Sequence, residues 1–488
     1  MDKLKKWIIP TIQAVISAVF VFMIAASGLL PGKYLMIVAA VVAVMLLFIV
    51  LLTLVKNGVI RTAGGILSIF ICGMLIFGMV YVNHIVMTLK SVAGSDTEVK
   101  VIAVAVTNDN AANSIEDTKG YSFGVFEGAD GEEIEETIEE VKQLNTDDAL
   151  ISEKYDSLVG MAQALLDGEI DAVICNKAYF EIVDEVIVNF TSDIRIIYEK
   201  EFETSTDEVS DGTDDLSDGK EKKKRTSLTD EPYTVLVSGI DVSGPIMTTS
   251  RSDVNILMTV NPQTHEILLT TTPRDYYVYL PGISGDMRDK LTHAGIYGVK
   301  TSMRTLENLY GITISDYIRI NFDSLVQLVD ALGGVDVYSE YEFKSGKHYF
   351  YKGVNHVNGE EALAFSRNRY AFGSGDIQRG QNQMLMLTAI INKLMSPSLL
   401  QNPSGVLDVV GKSMQTSIGS SEIADAIAWQ LDTMGEWSIN RQSVTGTGDS
   451  DQTFSMKGID LYVMWPNEDS VSRAAEKIEE LMEKTEED

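Results

Sequence analysis

The residues best suited to chemistry in this 488-residue chain are arginines and aspartates at the ends of expected strands. Asp241 follows a strand expected over Tyr233–Ile240, and Arg251 and Asp253 come just before another at 254–260. Arg274 and Asp275 stand between two strands, behind Pro273. Arg367 and Arg369 close a helix expected over Gly359–Arg367, and Arg379 and Gln383 follow one helical turn apart. An i, i+4 pair shares a helix face, so Arg379 and Gln383 can address one ligand. Several guanidiniums on one pocket repel each other unless an anion lies between them, and their planar fork suits bidentate phosphate contacts. Carboxylates alongside suit a hard cation such as Mg²⁺, which is held by one or two carboxylates plus substrate phosphate oxygens. Arg and Mg²⁺ together stabilise charge developing on phosphoryl oxygens. The constellation reads as a pyrophosphate site. Any one of these arginines alone reads more readily as a surface or ion-pair residue, and Arg274 and Asp275 as partners of other charges, so the constellation is stronger than its members.

Other chemistries lack their signatures. The chain has no P-loop, no HExxH, no G-x-S-x-G, and no GxGxxG followed by an acidic ribose ligand. Its five His are scattered, and two Cys, Cys72 and Cys175, cannot build a disulfide scaffold or a Cys-based zinc site. A net charge of −31 excludes a generic nucleic-acid binder. That charge is uneven: residues 1–90 carry seven Lys/Arg and one Asp, the remainder 32 Lys/Arg against 69 Asp/Glu.

The elements that must position the site begin at a membrane. Residues 7–32, 34–55 and 62–89 contain no Asp, Glu, Lys or Arg. Each exceeds the roughly 20 apolar residues that cross a bilayer as a helix. Residues 1–90 therefore read as three transmembrane helices, with a turn at Pro31-Gly32 and Gly64-Gly65 opening the third. Lys3, Lys5, Lys6, Lys56 and Arg61 lie on one side, against Lys33 and Lys90 on the other. The positive-inside rule then puts the N-terminus in the cytoplasm and the acidic body outside.

That body divides into parts. Over 97–202, strand-like and helix-like runs alternate, which indicates a small α/β accessory domain. Its 165–174 run, with 121–125, resembles part of one lobe of type 2 periplasmic solute-binding proteins, leaving ligand binding and partner docking both open. Residues 203–231 hold ten acids, five bases and only three aliphatics, too little apolar surface to fold alone, and read as an acidic disordered linker. Residues 232–465 read as a helix–sheet–helix sandwich, an α-β-α domain, and 466–488 as a charged helical tail.

The motifs resemble those of the LytR–CpsA–Psr (LCP) family of cell-wall glycopolymer transferases. The matching runs are Val235 to Asp241, Arg251-Ser252-Asp253, Thr272-Pro273-Arg274-Asp275, Lys290 to Ala294, Asn321-Phe322-Asp323, Leu332 to Val337, Leu363 to Arg369, and Asp376 to Gln383. The resemblance implies a membrane-anchored transferase that moves an anionic glycopolymer, of capsule or teichoic acid type, from polyprenyl pyrophosphate to peptidoglycan through a phosphodiester, in a Gram-positive type envelope. It implies that Arg251, Arg274, Arg367, Arg369, Arg379 and Gln383 bind pyrophosphate, and that Asp241 and Asp253 hold Mg²⁺ or Mn²⁺. Asp275 is then either the base for the acceptor hydroxyl or a charge partner for Arg. A prenyl chain would enter an apolar tunnel between sheet and helices. One departure stands out: the family's second Arg, just before the Gln of its Arg-x-x-Arg-Gln run, is Asn382 here. Two further readings remain: a non-catalytic sensor or assembly factor that binds the same lipid and docks protein partners through 97–202, and a lipid pyrophosphatase.

Overall fold

The computed structural model describes residues 7–92, 97–146, 151–205, 227–240, 245–368, 376–396, 406, 409–410 and 414–485. Three helices open the chain: α1 (Ile8–Ser27), α2 (Gly32–Leu54) and α3 (Gly58–Val92). All three are long and apolar enough to cross a membrane. They meet along Val42, Ile49, Ile71 and Leu75, while Phe22, Met36, Val59 and Phe77 are left exposed. Outward-facing apolar side chains of this kind suit lipid rather than water. Ser68 Oγ donates to Gln13 Oε1 at 2.6 Å between α3 and α1, a polar contact among apolar neighbours. The third helix starts at Gly58, so Gly64 and Gly65 lie within it rather than opening it. There they admit Leu52 and Ile9 side chains close to the helix backbone.

A five-stranded domain follows. Its strands are β1 (Thr97–Thr107), β2 (Ser122–Val125), β3 (Ile151–Lys154), β4 (Ala172–Asn176) and β5 (Ile194–Ser205), in the order β3-β2-β4-β1-β5. Residues 101–106 of β1 and all of β4 are buried. Both strands are near-continuous apolar runs because both of their faces are covered. Helices α4 (Gly131–Leu144) and α5 (Leu158–Leu166) pack on opposite faces, α4 against Ile102 and Val104, α5 against Ala103 and Ala105. Strand β3 falls where the sequence carries no strand signal. It is an exposed edge, and Ile-Ser-Glu-Lys carries little apolar alternation. The short helix α6 (Phe180–Val183) and the residues just after it face the next domain.

The six-stranded sheet of that domain uses β6 (Tyr233–Ile240), β7 (Ser252–Asn261), β8 (Glu266–Thr271), β11 (Asp316–Asn321), β16 (Met414–Thr416) and β17 (Ser438–Ser443), in the order β16-β11-β6-β7-β8-β17. Side chains alternate across a strand. Val237, Ile256 and Leu269 therefore face one side, against Met384 and Ile391. Leu236, Leu257 and Leu268 face the other, against Met303 and Leu306. Between β8 and β11 come the paired short strands β9 (Tyr277–Tyr279) and β10 (Arg288–Lys290), then helix α7 (Val299–Tyr310), which carries Met303 and Leu306.

Helix α8 (Phe322–Ala331) begins directly from β11, where the Asn321 side chain accepts from Ser324 N at 2.8 Å. The ladders β12 (Val335–Ser339) with β15 (Gly353–Val357), and β13 (Phe343–Ser345) with β14 (His348–Phe350), lead to α9 (Gly359–Arg367). Asn358 caps α9 in a reciprocal box with Glu361. Gly359 sits so close to Val326 that an added Cβ would overlap the Val326 backbone. Helix α10 (Asp376–Leu394) carries Met384 and Ile391 onto the sheet.

After α11 (Ser420–Thr433), strands β18 (Gly446–Gln452) and β19 (Asp460–Pro466) pair antiparallel. Over its described residues, the segment expected as a charged helical tail at 466–488 instead packs into the domain. Helix α12 (Glu468–Glu483) buries Val471, Ala474, Ile478 and Leu481 in the same cluster as Leu236 and Leu257. Its charged residues dominate the composition, but this i, i+3, i+7, i+10 stripe turns inward.

Candidate anion-binding site

Strands and helices of the six-stranded domain converge on one cavity of about 480 Å³. The ends of β6 and β7 bring Gly239, Ile240, Arg251 and Asp253, and the turn after β8 brings Arg274. The β11–α8 junction brings Asn321 and Phe322, the end of α9 brings Arg367, and α10 brings Arg379 and Gln383. The rest of the wall is aliphatic: Val237, Ile256, Leu325, Met386, Leu387 and Ile390. Along α10, Arg379 and Gln383 precede Met386, Leu387 and Ile390, so the cavity runs from an arginine-rich end to an apolar one. An adjoining small recess shares Asp253, Arg274, Arg379 and Gln383.

Of the nine residues singled out from sequence, Arg251, Asp253, Arg274, Arg367, Arg379 and Gln383 line this one cavity. Asp241 and Arg369 lie outside the described residues. Asp275 is buried and does not line the cavity. Its carboxylate lies 3.7 Å from Arg274 Nε and 3.6 Å from Lys290 Nζ, so it stands behind the cavity between two cations.

Charges in the site are arranged in pairs. Arg274 Nη1 donates to both oxygens of Asp253, at 3.0 and 2.9 Å, and the Thr292 hydroxyl donates to Oδ1 at 3.0 Å. Burial acts to raise the Asp253 pKa, but Arg274 and Arg251 outweigh it and hold the carboxyl below its usual range. Arg367 lies over the Phe322 ring, 4.3 Å from its centroid, which fixes its plane at the wall. Gly239 adjoins the cavity at the place where Val254 approaches closest, and a Cβ there would collide with the Val254 side chain.

Asn382 lies one residue from Gln383 but points elsewhere. It is buried, its Nδ2 donates to Phe365 O at 3.2 Å, and its Oδ1 accepts from Gln378 at 3.2 Å. It ties α10 to α9 two residues before Arg367 and contributes nothing to the cavity wall.

Glu185 also lines the cavity and was not singled out from sequence. Its oxygens accept from Arg251 Nη1 at 3.1 Å and from Lys290 Nζ at 2.7 Å. It sits 66 positions from Arg251 and 105 from Lys290, so spacing gave no signal for it.

Metal binding is tested by the donor set. Among the described residues, no group of three His, Cys, Asp or Glu is placed to hold an ion. Asp253 is an ionised carboxylate on the cavity wall, which suits a cation that takes its other ligands from substrate phosphate and water.

A chain with three apolar helices and a six-stranded α/β domain carrying an arginine-lined, half-apolar cavity is thereby defined. Residues 200–477 match the LytR_cpsA_psr family, and the chain belongs to that family. The polyisoprenyl-teichoic acid–peptidoglycan teichoic acid transferase TagU of Bacillus cereus is 36% identical over 196 residues, 40% of this chain and 63% of that relative. TagU of Enterococcus faecalis is 31% identical over 242 residues, 49% of this chain and 78% of the relative. The crystal structure of B. subtilis TagU aligns with 28% identity and a TM-score of 0.42, covering 52% of this chain and 98% of that one.

Proposed function

We propose that this protein transfers a teichoic acid-type anionic glycopolymer from a polyprenyl pyrophosphate carrier to peptidoglycan, on the outer face of the membrane. The observation that carries the reading is the single cavity with Arg274, Arg367 and Arg379 at one end and Leu325, Met386 and Ile390 along the rest. A prenyl pyrophosphate has the same two halves, an apolar tail and a dianionic head. The names of the TagU relatives supply the polymer class and the acceptor. Three apolar helices support membrane anchoring, and the lysine and arginine distribution supports an external domain.

The chemistry follows from the charges. The acceptor hydroxyl oxygen bonds to the polymer-side phosphorus, the bond from that phosphorus to the bridging oxygen breaks, and polyprenyl monophosphate leaves. Arg274, Arg367 and Arg379 hold the pyrophosphate oxygens and offset the charge that gathers on the leaving phosphate. Gln383, on the Arg379 face of α10, orients the same head group. Asp253 keeps Arg274 aimed at the cavity. Asp275, flanked by Arg274 and Lys290, acts as their charge partner rather than as the base. The hydroxyl proton passes to solvent. Mg²⁺ or Mn²⁺ would be held by Asp253, with Asp241 as the second carboxylate, and would supply further charge neutralisation.

The test is to incubate the full chain in lipid nanodiscs with a lipid-linked polymer and peptidoglycan fragments. A phosphodiester-linked product and one polyprenyl phosphate released per link support the proposal. Release of polyprenyl phosphate at the same rate without acceptor points to a pyrophosphatase. Tight lipid binding with no release points to the sensor reading.

A further inference from the structure

The charged groups of the site form one alternating chain across two domains. Asp253 pairs with Arg274, Arg274 adjoins Asp275, Asp275 adjoins Lys290, Lys290 pairs with Glu185, and Glu185 pairs with Arg251. Five of the six residues belong to the six-stranded domain. The sixth, Glu185, comes from the five-stranded domain, just beyond α6, and is the one cavity-lining residue that domain supplies among the described residues. Glu181, one helical turn earlier, places Oε2 3.5 Å from Arg251 Nε, so two carboxylates of one turn grip one guanidinium. The side chains of Arg251, Glu185 and Lys290 are 13%, 18% and 5% exposed, so solvent screens these contacts poorly.

We propose that Glu185 is a positioning residue of the anion cavity, through which the five-stranded domain holds Arg251 in place and limits how tightly the cavity holds a phosphate. The proposal rests on the pyrophosphate reading above. A carboxylate on the wall of a phosphate site opposes the ligand, and its presence needs a compensating use. A transferase that must release polyprenyl monophosphate gains nothing from a cavity whose arginines are all uncompensated, because the product would then be retained. Glu185 offsets the positive charge nearest the five-stranded domain and leaves Arg274, Arg367 and Arg379 to hold the head group. It also denies Arg251 the freedom to swing away from the cavity mouth. Burial acts to raise the Glu185 pKa, but His293, Lys290 and Arg251 overcome it, so the carboxylate is charged at neutral pH.

The experiment measures binding of a polyprenyl monophosphate to the full chain in nanodiscs, alongside transfer kinetics. Glu185→Gln keeps the shape and removes the charge. It should bind the lipid about 3- to 10-fold more tightly, with lower KM for the donor and lower kcat as product release slows. Arg251→Gln should weaken binding, and the Glu185→Gln/Arg251→Gln pair should be non-additive. A residue that merely braces the fold would give unchanged or weaker binding in Glu185→Gln, and either result overturns the proposal. Arg379→Ala separates the two ideas. If it binds the lipid as well as the wild type, the pyrophosphate reading itself fails. If it loses binding while Glu185→Gln is unchanged, only the role of Glu185 fails.

Discussion

Arg274 and Asp253 form a two-point contact through a single nitrogen, Nη1 donating to both carboxylate oxygens, where the turn after β8 meets the start of β7. This contact fixes which way the guanidinium faces, and it makes Asp253 a group whose charge the fold depends on. Asp253→Asn should remove the nearer of the two carboxylates beside Arg274 in a buried site. A loss of about 3–5 kcal/mol in denaturant unfolding is the expected scale for breaking a buried pair, with weaker lipid binding alongside.

The same pair predicts a pH dependence. Arg274 and Arg251 hold the folded pKa of Asp253 below its unfolded value, so its contribution is full above an unfolded pKa of about 3.9. That contribution is lost as pH falls through the lowered folded value. Thermal unfolding from pH 6 down to pH 2 should show Asp253→Asn converging on the wild type at the acid end. A constant gap across that range would contradict the pairing.

Glu98 and Arg319 join the two sheet domains. Arg319 Nη1 donates to Glu98 Oε1 at 2.7 Å, both side chains are buried, and the Glu98 oxygens also accept from Val299 N at 3.1 Å. Glu98→Ala should cost about 3–5 kcal/mol. Hydrogen exchange should then rise along the contact between β1 and residues 247–249, where backbone bonds link Val99 to Met247 and Thr249.

Gly359 sets the distance between α8 and α9, and hence the reach of Arg367 at the far end of α9. Gly359→Ala would push against the Val326 backbone. A destabilisation of about 1–3 kcal/mol is expected for such overpacking, and transfer should fall further than the lost stability explains.

Asn382→Ala should leave Phe365 O without its side-chain donor between α9 and α10. An unsatisfied buried group costs about 1–3 kcal/mol. The lipid affinity of the folded fraction should stay within a few-fold of the wild type, because Asn382 does not line the cavity.

Much of the site was legible because strand ends and helix ends are marked locally. The apolar run of β7 places Arg251 and Asp253 at its start, and the i, i+4 spacing of Arg379 and Gln383 survives in α10. The three apolar helices follow from composition alone. Three things were not legible. Glu185 depends on how two domains meet, which no local pattern encodes. Asp275 reads from sequence either as a base or as a charge partner for Arg, and only the fold sets Lys290 on its other side. Helix α12 looks like a solvated tail because its charges outnumber the four apolar residues it turns onto the sheet.

Arg274 and Arg367 carry the proposed transfer most directly. Release of polyprenyl phosphate from a lipid-linked polymer in the presence of peptidoglycan should be measured for the wild type and for Arg274→Ala/Arg367→Ala, with circular dichroism confirming that the variant folds. The predicted result is loss of release and of phosphodiester product by at least about a hundredfold, on the scale of removing preorganised charge from a transition state. Unchanged turnover by a folded double variant would contradict it.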